Sequence, residues 1–155
     1  MPNHVQSIIS ISGTKESVER VKNRILVTEE YISELNERNK NLADDFKIAI
    51  PKLGTLTMNR LIPKPTNIYQ GMLSNVEEEK YGEENCWYVW NINHWGTKWD
   101  AYEQEINMNG DDVMTIMFQI MGIAQESEPH PRRFRRAFRA IYAPRHPYPR
   151  QAHSG

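Results

Sequence analysis

Apolar residues recur along the chain with a strand period in some segments and a helix period in others. Residues 5–11 are rich in Ile and Ser and end at Ser12-Gly13, which predicts a strand closed by a turn. Thr14 can cap a following helix whose first turn carries Glu16, favourable at the positive end of the helix dipole. Val18, Val21 and Ile25 then mark one face at helical spacing. Over residues 28–46, Ile32, Leu35, Leu42 and Phe46 fall on a similar face. They predict a second helix or a kinked extension of the first; the alternative is an exposed insertion with little tertiary contact. Pro51 and Gly54 close that segment.

Residues 56–62 predict a short strand stopped by Pro63-Lys64-Pro65. The acidic run at 77–84 reads as a solvated loop, because its dense carboxylates lack any metal-ligand spacing. From Trp87 to Trp95 the residues Trp87, Trp90 (or Asn91) and His94 return at three- and four-residue steps, so a helix is expected. Gly96 would end it as a left-handed cap. Residues 101–107 alternate loosely before Asn109-Gly110-Asp111-Asp112, a strong hairpin signal. Residues 113–120 form the second arm, apolar on both faces, which predicts a central strand.

All four tryptophans lie within residues 87–102, with Tyr88 and Tyr102 beside them. Indoles dominate packing energetics wherever they lie, so this stretch reads as the core anchor of a small domain. A chain of 155 residues suits one domain with a core of its own. Apolar content of 39% and charged content of 25% fit a globular protein, and no apolar run reaches the roughly 18 residues of a membrane span. The N-terminal MPNHVQSIISIS lacks a basic stretch followed by a long apolar one, so no signal peptide is expected. Cys86 is the single cysteine, which excludes an internal disulfide and suits a reducing cytoplasm. It reads as a small buried apolar residue, against the alternative of a nucleophile.

The net charge of −1 conceals a split. Of 19 basic side chains, seven are arginines within residues 129–155, where there is no Asp or Glu; 12 remain against 20 acids before them. The body is therefore acidic and the tail basic, a pattern of nucleic-acid-binding arms. In the tail, Arg132, Arg133, Phe134, Arg135 and Arg136 interleave arginine with an aromatic ring, as phosphate neutralisation with stacking on single strands requires. As a helix the tail would place Phe134, Phe138, Ile141 and Tyr142 on one face, before Pro144, Pro147 and Pro149 end it.

A second candidate site is His94, Lys98 and Asp100 with Trp95 and Trp99, a pocket with a general base and a cationic anchor. The competing account has the tryptophans packing on the sheet with Lys98 along an indole face. No Ser-His-Asp order, Cys-His pair, zinc spacing or phosphate loop is recognisable, and His4, His94, His130, His146 and His153 are scattered. No metal or cofactor is expected.

At Trp95-Gly-Thr-Lys-Trp-Asp-Ala-Tyr102 the chain resembles the YubB-like ferredoxin-like family of phage- and plasmid-borne proteins. Pro2-Asn3 leading into a strand that ends Ile11-Ser12-Gly13, and Leu61-Ile62-Pro63 before a proline-containing loop, agree with it. The likeness covers residues 1 to about 120. It implies an α+β fold, a ferredoxin-like antiparallel sheet with helices on one face, and it implies little about activity. Carriage on mobile elements implies an accessory role in the cytoplasm of a bacterial host. Fold alone does not supply function.

After Gln119 the chain departs from that pattern, which continues with Trp, small residues and Pro, then a helix and a last strand. Met121-Gly-Ile is encoded ATG-GGN-ATH, and read one base later it begins with the tryptophan codon TGG. A frame shift near codon 120 is therefore expected to have replaced the native ending. The expected organisation is a ferredoxin-like domain over residues 1–124, lacking its last helix and strand, and a frame-shifted or disordered basic tail over 125–155. A sheet lacking that strand would expose an edge and favour pairing. The leading expectation is a non-enzymatic accessory protein that binds a host macromolecule, with a host protein as partner and no membrane. The alternative is nucleic-acid binding through the tail, and an enzyme using His94 and Lys98 ranks third.

Overall fold

A computed structural model describes residues 3–122. The arginine-rich segment, with Arg132, Arg133, Phe134, Arg135 and Arg136, lies outside the described residues, as do the boundary at residue 125 and the replaced ending past Gly122. The protein is α+β, with a three-stranded antiparallel sheet and several helices. Strand β1 (Asn3–Ser12) pairs along its whole length with β3 (Val113–Gly122), from Asn3 opposite Gly122 to Ser12 opposite Val113. Strand β2 (Tyr102–Asn109) lies on the other side of β3, so the order is β1-β3-β2. The central place expected for residues 113–120 is therefore observed.

The β2–β3 turn is made where Asn109-Gly110 predicts it, with Gly110 at φ 73°. Alternation gives the sheet two unlike faces. Met114, Ile116 and Phe118 of β3 are buried on one face, with Ile9, Ile11 and Ile106 packed beside them. Gln6, Ile8, Ser10, Glu105 and Asn107 lie exposed on the other.

Helices and loops pack their buried apolar residues onto the first face. Helix α1 (Lys15–Ile25) starts at Thr14, whose hydroxyl accepts from Ser17 N at 3.3 Å, and it buries Val18 and Ile25 against the sheet. Leu26 is extended and ends α1, so α2 (Glu29–Lys40) is a separate helix, not a kinked extension. Nor is it a loose insertion. Leu35 is buried, Arg38 donates to Lys64 O at 2.6 Å, and Asn39 exchanges hydrogen bonds with the backbone of Ile48. Phe46 falls past the end of α2, in a single 3-10 turn (Asp44–Phe46).

Two expectations are corrected. Residues 56–62 are not a strand: Leu56 makes one isolated bridge to Leu26, and Met58–Leu61 is a one-turn helix, α3. Thr57 caps it by accepting from Asn59 N, and the Asp100 carboxylate accepts from Met58 N. The first-turn donors thus find partners that a strand would not supply. The acidic run is not all loop either. Asn75–Tyr81 is helix α4, capped by Ser74, whose hydroxyl accepts from Val76 N, and Glu83–Asn85 is a second 3-10 turn. Glu77 and Glu78 sit in the first turn of α4, where carboxylates suit the dipole.

Helix α5 (Trp87–Trp95) matches its expected span, and Gly96 ends it in the left-handed conformation at φ 74°, ψ 14°. Trp90 and Trp95 enter the main core with their rings edge to face at 5.5 Å. The expectation of a core anchor holds for these two. Cys86, at the start of α5, is buried and its thiol is pushed up by burial, as a small apolar residue should be.

Candidate functional site

Trp87, Asn91 and Trp95 stand four residues apart and so share one side of α5. Gly96 then turns the chain back, and Asn91 Nδ2 donates to Lys98 O at 2.8 Å, which holds the returning loop beside the helix. Thr97, wholly buried, anchors that loop to the sheet through its hydroxyl, 3.0 Å from Met121 O. Lys98, Trp99 and Asp100 are thereby brought opposite Tyr31 and Leu35 of α2, and a cleft of about 210 Å³ opens between them. Thr57, Asn59, Lys64 and Gln70 complete its polar lining.

Lys64 is the unusual group. It is 6% exposed, yet its ammonium has no carboxylate in direct contact among the described residues. Nζ donates to Gln70 Oε1 at 3.0 Å and lies over the rings of Trp95 (4.7 Å) and Trp90 (5.7 Å). Burial pushes its pKa down to about 8, opposed by the field of Asp100 and reinforced by that of Arg38. An ammonium has three donors, and one is used by Gln70.

Asp100 is the natural counter-charge, but its oxygens are already occupied. Oδ1 accepts from Met58 N at 2.6 Å and Ala101 N at 2.8 Å, and Oδ2 accepts from the Thr57 hydroxyl. Burial raises its pKa while these bonds oppose the rise. Tyr31 supplies a hydroxyl that accepts from Asn59 Nδ2 at 2.8 Å and keeps its own proton to donate; burial raises its pKa. Asn91 Oδ1 is buried without a hydrogen-bond partner, a costly state for an amide oxygen.

At the rim, Trp99 is 45% exposed, and Lys98 Nζ stands 5.4 Å from the rings of both Trp99 and Tyr88. Lys98 along an indole face is thus observed, but on the exposed indole. Of the residues singled out from sequence, Trp95, Lys98, Trp99 and Asp100 line one cleft and His94 does not. His94 stacks on Trp90 at 4.2 Å, with its Nδ1 2.9 Å from Trp90 O. The pocket with His94 as general base is therefore not assembled. Spacing alone misses Tyr31, Lys64 and Asn91; the signal for Lys64 is a cation between two prolines in an otherwise apolar stretch.

Among the described residues, no group of three or more His, Cys, Asp or Glu is placed to hold a metal, and no helix is long and apolar enough to cross a membrane. No protein-family model matches the chain, and neither the curated proteins nor the solved structures yield a match.

Proposed function

We propose that this protein is a non-enzymatic binding protein of the YubB-like ferredoxin-like family, an accessory factor of a phage, prophage or plasmid that engages a host protein in the bacterial cytoplasm. The strand order β1-β3-β2, with α1, α3 and α5 joining the core on one face, supports the ferredoxin-like reading. The observation that carries the binding reading is the pairing of an exposed indole with a buried, under-coordinated ammonium in one cleft. Aromatic residues beside desolvated pockets are the usual anchors of protein interfaces. The partner segment that suits this cleft presents an apolar side chain to Trp95 and Trp99 and a carboxylate to Lys64. Asp100, with its oxygens engaged, serves as scaffold.

The test is a pull-down from bacterial lysate with the tagged full chain, with and without nuclease, eluted at rising salt. A nuclease-resistant protein partner with shallow salt dependence is expected. The second reading, nucleic-acid binding through the tail, is favoured by the seven arginines of residues 129–155. It predicts a catch that vanishes with nuclease and weakens steeply with salt, which would overturn the first.

A further inference from the structure

The two edges of the sheet are treated differently. Edge strands invite pairing with other chains, and proteins blunt them with charge, proline or bulges. Strand β2 carries all but the proline. Its outward positions include Glu103 and Glu105, its pairing with β3 slips between Tyr102 and Glu105, and Glu103 has φ 46°. Strand β1 carries none of these devices. Its ten residues include no Lys, Arg, Asp, Glu or Pro, and its pairing to β3 runs without a shift. Among the described residues it has a strand on one side only.

The flank of β1 is also under-covered. Ile9 and Ile11 point toward the core yet remain half-buried, whereas their β3 partners Ile116 and Met114 are fully buried. Ile8, in the middle of the strand on the opposite face, is 64% exposed.

We infer that the free edge of β1 pairs with β1 of a second copy, joining two sheets into one antiparallel six-stranded sheet about a two-fold axis at Ile8. Antiparallel pairing of identical strands about an axis normal to the sheet sets residues opposite each other on the same face. With the axis at Ile8, Ile8 meets Ile8 of the second copy, Gln6 meets Ser10, Ser7 meets Ile9, and Val5 meets Ile11. Each apolar position on the core face gains a neighbour, no charge meets a like charge, and the helices of both copies lie on the same side. Such an isologous contact closes at two copies. The guarded β2 edge prevents the sheet from growing further.

Sedimentation of the full chain at micromolar concentration tests this, and a species of twice the 18.2 kDa chain mass is expected. Ile8→Lys puts two like charges at the axis without touching the core and should return the protein to monomer with its circular dichroism unchanged. Ile8→Cys should form an intermolecular disulfide, since opposite Cα atoms in such a pair lie about 4.5–5.5 Å apart, within disulfide range. Cys86 is buried and does not compete. A monomeric wild type would overturn the inference, whether residues 123–155 or another protein then protect the β1 amides from hydrogen exchange. A dimer that survives Ile8→Lys, or that fails to cross-link through Cys at position 8, would overturn it equally.

Discussion

Trp95 and Trp99 come from one short stretch, four residues apart, and serve opposite ends. Trp95 is 6% exposed, donates its indole N–H to Ile62 O at 3.0 Å, and packs edge to face on Trp90. Trp99 lies beyond the left-handed turn at Gly96, keeps nearly half its surface in water, and meets Lys98 across its face. The difference teaches that a dense cluster of indoles can be core and site at once. One glycine decides which, by ending the helix and turning the next tryptophan outward.

The contrast predicts a graded set of effects. Trp95→Ala removes a large buried ring and strands Ile62 O, and should cost about 3–5 kcal/mol in urea unfolding. A loss below 1 kcal/mol would mean that Trp95 is not a core residue.

Asp100→Ala leaves the N–H groups of Met58 and Ala101 and the Thr57 hydroxyl without their acceptor. It should cost about 3 kcal/mol and loosen α3, seen as faster amide exchange at Met58. If Asp100 were instead an exposed catalytic carboxylate, the variant would fold with near wild-type stability.

The pH dependence probes the cleft floor. Native Lys64 gives up its proton near pH 8, and an ordinary lysine near 10.5. Between those values the unfolded chain holds the extra proton, so stability rises with pH across the window and is flat in this respect below it. The gain should be about 2 kcal/mol after allowance for residual solvent contact. Lys64→Met should abolish that rise and, with the desolvation cost gone, be no less stable than wild type at pH 7. Equal pH slopes in the two proteins would remove Lys64 from the cleft floor.

Trp99→Ala is the smallest of the series. With nearly half of its surface in water it should change stability by no more than about 1 kcal/mol. A cost of several kcal/mol would move Trp99 into the core and dissolve the comparison.

What the sequence makes legible is local. Helix α5 and its cap are written in the spacing of Trp87, Trp90 (or Asn91) and His94 and in Gly96. The hairpin is written in Asn109-Gly110, and the centrality of β3 in the apolar residues on both of its faces. Helix α4 carries the capping pattern Ser74-Asn-Val-Glu77, which the density of acid around it outweighs in a reading by charge. Helix α3 is different in kind. Its first turn depends on Asp100, 42 residues away, so tertiary partners override what the run of Leu, Thr and Met at 56–58 suggests. The cleft was half legible: Trp95, Lys98, Trp99 and Asp100 share one segment. Lys64, Tyr31 and Gln70 reach it from separate elements, and no spacing rule joins them.

The most direct test of the binding account compares wild type and Trp99→Ala, each checked for folding, in nuclease-treated pull-downs quantified by mass spectrometry. The account predicts a protein partner retained by wild type and lost from an equally stable Trp99→Ala. The same partner retained equally by both would contradict it.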